Sequence, residues 1–118
     1  MTAHVYCWTP SLGLNPADRD FKEQIRAMYQ QPKPAPSPRL VAFVKDLLSR
    51  YADVTESQDT VWGDGPLVNN IRGDFINMSL IWTRYAEAAA FIIETAQKHG
   101  LQCYDPQGDN FFPSPPRH

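Results

Sequence analysis

The segment 75–107 constrains the fold most, because it predicts a strand, a helix and a second strand in succession. Side chains alternate between the two faces of a strand, and every second residue from Ile76 to Trp82 is apolar. Apolar residues then recur at helical spacing over 85–99, with Thr83 as the expected N-cap and a glycine directly after the helix. Residues 101–104 form the second strand, which ends at an Asp-Pro pair.

The remaining elements are predicted by β-forming runs and by proline after a capping residue. Residues 4–9 form a first strand. The pairs Asn15-Pro16 and Ser37-Pro38 each start a helix, the first reaching about residue 30 and the second about residue 51. Residues 67–71 form a strand that turns through Gly73-Asp74 into the strand at 75.

The element order is therefore β-α-α-β-β-α-β in a chain of 118 residues, the size of one domain. Right-handed crossovers accommodate this order in one antiparallel sheet of four strands. We predict an α+β, ferredoxin-like fold with the strand order 4-1-3-2 and the helices on one face. This order places Cys7 and Cys103 on adjacent strands, and residues 108–118 form an extended Pro-rich tail. The other face of the sheet is expected to carry aromatic and polar side chains (Tyr6, Trp8, Asn77, Ser79 and Ile81).

Charge and composition argue against several classes of protein. A formal net charge of −2 lacks the basic excess typical of nucleic-acid binders. No apolar run approaches the ~18 residues of a membrane span, and the N-terminus does not resemble a secretory signal, so we expect a cytoplasmic protein. Cys7 and Cys103 are expected as buried thiols, and neither Cys-x-x-Cys nor His-x-x-x-His occurs, so no metal or cofactor is predicted.

The longest irregular segment, residues 52–66, is the predicted partner-binding surface. Long loops in compact domains often carry function. The segment contains no lysine or arginine. Its tryptophan, Trp62, fits equally well as a buried plug or as an anchor that dominates interface energetics. We predict that the partner is bound by four carboxylates and this Trp (Asp53, Glu56, Asp59, Trp62 and Asp64).

Asp105, Gln107 and Asp109 near the C-terminus permit two interpretations. They could supply an acid/base or metal site, or Asp105 could cap a turn that Pro106 fixes. The turn is favoured because catalysis needs a second convergent group and none is apparent. The chain is therefore predicted not to be an enzyme.

Five sequence features together carry a resemblance to a known family. They are a Trp-bearing first strand, SPRLVAF, a Trp in an acidic loop, SLIWTRY and, above all, KHGLQCYDPQ. The chain resembles a group of small bacterial proteins that includes immunity partners of secreted polymorphic toxins. The resemblance implies a cytosolic protein that binds and blocks one cognate toxin domain, and it carries over no catalytic residues. An acidic loop speeds association with a basic toxin cleft.

The alternative prediction is a small ligand-binding domain or enzyme that uses the open sheet face and the YDPQ turn. Its expected signature is a closed pocket that joins Trp8, Asn77, Ser79 and Asp105. In either case the chain is expected as a monomer or as a weak homodimer that pairs through the edge strand 67–71.

Overall fold

A computed structural model describes residues 2–112 of the protein. Within these residues, three helices and one antiparallel sheet of five strands form an α+β fold, as the sequence predicted at this level. The helices are α1 (Phe21–Gln30), α2 (Pro38–Arg50) and α3 (Tyr85–Lys98). The strands are β1 (Thr2–Trp8), β2 (Ile71–Arg72), β3 (Phe75–Ile81), β4 (Gln102–Asp105) and β5 (Asn110–Phe112), in the spatial order β2-β3-β1-β4-β5.

The fifth strand corrects the prediction of a four-stranded sheet. Residues 110–112, expected as part of the tail 108–118, pair antiparallel with β4, with Phe111 opposite Tyr104. The ring of Phe111 also stacks on Trp8 at 6.0 Å, so the strand is held by side chains as well as by its ladder. The rest of the predicted tail, residues 113–118, lies outside the described residues.

One face of the sheet carries the main apolar core. The side chains of Val5, Cys7 and Met78 point to this face and are fully buried against α2 and α3. Ser37 caps α2 as predicted, because its hydroxyl accepts a hydrogen bond from the Leu40 N–H at 3.3 Å. This face is apolar and closed to solvent.

Helix α1 packs on the opposite face, so the prediction that all helices lie on one face is wrong. Phe21 of α1 packs against Trp8 at 5.9 Å and against Tyr104 at 5.3 Å, between ring centroids. Burying such aromatic side chains is worth several kcal/mol, and only a cover on this face removes Trp8 and Phe75 from water. The helix begins at Phe21 instead of residue 16, because the Asn15 side chain accepts from Ala17 N–H at 2.9 Å and closes a turn.

The edge of the sheet beside β3 is shared by two segments. The predicted strand 67–71 is largely a 3-10 turn, Leu67–Asn70, which leaves only the two residues of β2 at the edge. Further along β3, the Ile81 N–H donates to Val61 and the Gly63 N–H donates to Ser79, each at 2.8 Å. Part of the predicted binding loop is therefore built into the sheet.

Thr83 does not cap α3. Strand β3 ends at Ile81, and a 3-10 turn over Trp82–Arg84 leads into the helix without a side-chain cap. None of the helices in residues 2–112 combines the length and the apolar character needed to cross a bilayer.

Candidate functional site

Asp53 organises the segment 52–66 from the inside. Its carboxylate is only 7% exposed and accepts hydrogen bonds from the Leu67 N–H at 2.8 Å and from the Thr55 N–H and hydroxyl at 3.1 Å. Burial acts to raise the pKa of Asp53, but these hydrogen bonds together lower it below its usual value. A side chain at Gly65 would collide with this carboxylate. Asp53 therefore shapes the loop and offers little to a partner.

Trp62 is a buried plug and is not available as a surface anchor. It is 1% exposed, and its indole N–H donates to the Tyr51 carbonyl at 2.9 Å. The β-bridge between Trp62 and Leu80 explains this burial, because it directs the indole to the same sheet face as the buried Leu80. The sequence left two roles open for Trp62, a buried plug or an interface anchor, and in the structure it is the buried plug.

The other three predicted carboxylates are exposed. Glu56 and Asp64 point to solvent, and Asp64 accepts from the Asn70 amide at 3.1 Å. The side chain of Asp59 is 98% exposed and lies 3.2 Å from Arg84, in a surface ion pair of little energetic value. Because Asp53 and Trp62 hold the loop from within, Glu56, Asp59 and Asp64 remain its outward-facing groups.

Trp82, directly after the end of β3, is an exposed aromatic side chain. It is 47% exposed, the highest value among the large hydrophobic side chains of residues 2–112. Its indole stacks on Tyr85 with the ring centroids 5.9 Å apart and an interplanar angle of 10°. The sequence reasoning missed it, because the apolar alternation continues to residue 82 although the strand ends one residue earlier.

Arg84, two residues after Trp82 in the chain, forms an ion pair with the acidic loop. Its guanidinium lies 2.8 Å from Glu87 and 3.2 Å from Asp59. Hydrogen bonds from Arg84 and from the Tyr51 hydroxyl lower the pKa of Glu87, so this carboxylate stays ionised. We call Trp82 and the three charged residues Arg84, Glu87 and Asp59 the Trp82 patch.

Asp105 has the turn role that the sequence favoured. It is buried and accepts from the Gln107 N–H at 3.0 Å and from the Gln107 amide at 2.6 Å, while the Tyr85 hydroxyl donates to its other oxygen. Burial, followed by this contact with Asp105, raises the pKa of Tyr85 to about 12. Gln107 also pairs with the backbone of His4 at 2.7 and 2.8 Å, which ties the turn to β1.

The four residues of the predicted ligand pocket are not brought together. Asp105 faces α3, whereas Asn77 and Ser79 lie on the opposite face of the sheet. Trp8 is fully buried and contacts Phe21. Of these four residues, only Asn77 and Ser79 lie on the part of the face opposite α3 that α1 leaves uncovered.

Cys7 and Cys103 face each other across β1 and β4, as predicted from the strand order. Both are buried free thiols with their Sγ atoms 2.7 Å apart. Burial, and then the neighbouring Cys103, raises the pKa of the Cys7 thiol well above its ordinary value, which disfavours the reactive thiolate. Within residues 2–112 there is no group of three or more His, Cys, Asp or Glu side chains placed to hold a metal ion.

Comparison with known proteins finds no match to a family model, to a curated protein or to a solved structure.

Proposed function

We propose that this chain is a cytoplasmic immunity protein that binds one cognate secreted toxin domain and occludes its active site. The observation that carries the proposal is the exposed Trp82, stacked on Tyr85 and two residues before Arg84, which pairs with Asp59 and Glu87. Inhibition by occlusion needs a contact surface and no catalytic group in the inhibitor.

The stacking of Trp82 favours its use as an anchor. Binding loses affinity when a mobile side chain must be ordered, and a stacked indole is already largely ordered. Trp is also enriched among the few residues that dominate interface energetics. Trp82 therefore takes over the anchoring role that the sequence reasoning assigned to Trp62.

The acidic loop supplies the second part of the proposed interface. Glu56, Asp59 and Asp64 project from a segment whose shape is held by Asp53 and Trp62. Exposed carboxylates attract a basic toxin cleft and accelerate encounter, while contributing less to the lifetime of the complex. Glu56→Lys is therefore expected to slow association and to weaken its dependence on salt.

Co-expression tests the function directly. The wild-type chain should protect cells against the toxin domain encoded beside it, and purified protein should inhibit that toxin in a one-to-one titration. Leu12→Ala is the matched control for Trp82→Ala, because Leu12 is a 38% exposed apolar side chain outside the Trp82 patch. Absence of protection by the wild-type chain, or inhibition at far less than one equivalent, contradicts the proposal.

A further inference from the structure

The sheet face opposite α2 and α3 carries a polar cleft that lies outside the core and shares only Asp64 with the proposed interface. Helix α1 covers this face at the Trp8 end only. Beyond it, a cleft of about 260 Å³ lies against Asn77 and Ser79 of β3. Its walls come from distant parts of the chain, with Lys33 from the segment before α2 and Asn70 and Arg72 from the edge of the sheet.

Arg72 is a cationic wall of the cleft. Its Nη2 donates to the carbonyls of Met28 at 3.1 Å and Gln31 at 2.8 Å, and its guanidinium lies 4.6 Å from the Tyr29 ring centroid. These contacts fix the side chain. Its Nε is nevertheless buried and has no hydrogen-bond partner among residues 2–112. Because this N–H is closed to solvent, it is also closed to a ligand, and Arg72 contributes to the cleft through its positive charge.

Lys33 places a second cation at the cleft. Its ammonium donates to the Asn69 carbonyl, which holds the head group beside the edge of the sheet and leaves further N–H donors free. Asp64, the one acidic side chain of the lining, is already paired with the Asn70 amide at 3.1 Å. Two cations against one engaged carboxylate favour a negatively charged ligand.

We propose that this cleft binds a small oxyanion, the carboxylate or phosphate group of a small molecule. Lys33 supplies charge-assisted hydrogen bonds, Arg72 supplies a second positive charge, and Ser79 and Asn77 supply neutral hydrogen bonds from the floor. The volume lies below the range of drug-sized ligand pockets, so the ligand is small. The site is separate from the Trp82 patch and does not depend on a toxin partner.

Backbone amide NMR of the full chain, titrated with inorganic phosphate and separately with acetate, tests the site. We expect saturable shifts in residues 69–72 and 77–79 with at least one of the two anions, and the anion that saturates identifies the source chemistry. Lys33→Gln should weaken binding by about tenfold, the value of one charge-assisted hydrogen bond. Asp64→Asn should tighten it, because it removes the only negative charge of the lining.

Lys45→Gln is the matched control, since it removes another exposed lysine, one that lies on α2. It should leave the affinity unchanged, and the fold of each variant is checked by its amide spectrum. The proposal is overturned if neither anion gives saturable shifts at the cleft. It is also overturned if Lys33→Gln in a folded protein binds as tightly as wild type, or if Lys45→Gln weakens binding equally.

Discussion

The two faces of the sheet differ in how completely they are covered. Under α2 and α3 the face is mainly apolar, and Val5, Met78 and Leu80 are fully buried. On the other face α1 covers the aromatic cluster around Trp8, and beyond it Asn77 and Ser79 remain at a polar cleft. The first face is fully covered, and the second leaves surface for binding.

The same division separates the two tryptophans that flank the end of β3. Trp62 comes from the loop and enters the closed core, whereas Trp82 follows the strand and remains at the surface. The predicted partner-binding residues divide in the same way. Asp53 is buried with Trp62, and Glu56, Asp59 and Asp64 are exposed. An aromatic residue in an acidic loop is therefore not by itself a binding anchor.

The largest effect is expected for Trp62→Ala. Removing a fully packed indole from the core should lower the free energy of unfolding by ~3–5 kcal/mol. Trp82→Ala, the matched change at the surface, should cost at most ~1 kcal/mol. Urea denaturation of both variants measures the difference, and equal losses would show that the two tryptophans are not divided between core and surface.

The next largest loss in the free energy of unfolding is expected for Asp53→Ala. It leaves the buried Leu67 N–H without its acceptor, at a cost of ~1–3 kcal/mol at neutral pH. Because the folded pKa of Asp53 is lowered, its stabilisation is fully present above the unfolded pKa and is lost as pH falls through the folded value.

Unfolding measured across acidic pH should therefore show a shallower stability loss in Asp53→Ala than in wild type. Asp59→Ala is the control, because its side chain is 98% exposed and its removal should leave the free energy of unfolding at neutral pH nearly unchanged. A steeper acidic limb in Asp53→Ala would contradict the assigned role.

A smaller effect is expected at alkaline pH. The folded pKa of Tyr85, about 12, lies above the ordinary value of 10.0, so its stabilisation is complete below the unfolded pKa and is lost as pH rises toward 12. Tyr85→Phe should cost ~1 kcal/mol at neutral pH by removing one hydrogen bond to Asp105.

Ultraviolet difference titration follows the phenolates directly. Tyr85→Phe should remove one group that ionises near pH 12 and leave Tyr104, whose pKa is raised to about 12 chiefly by its hydrogen bond to Asp109. The loss of a group that titrates near its ordinary value would show that Tyr85 is not held by Asp105.

Sequence reasoning reached the α+β class and the pairing of Cys7 with Cys103, because apolar alternation and crossover handedness are local and general rules. It did not find the face that α1 covers, since the stripe at Phe21 fits either face and tertiary packing decides. It also missed β5, because three residues are too short for a periodic signal. Trp82 was misplaced because alternation does not mark where a strand ends.

The affinity of the purified chain for the toxin domain encoded beside it tests the central claim most directly. Calorimetric titration should show that Trp82→Ala weakens binding by ~2 kcal/mol or more, as expected for a central anchor, while Leu12→Ala binds like wild type. Thermal unfolding confirms that both variants are folded. Wild-type affinity in folded Trp82→Ala would contradict the claim that the Trp82 patch is the binding surface.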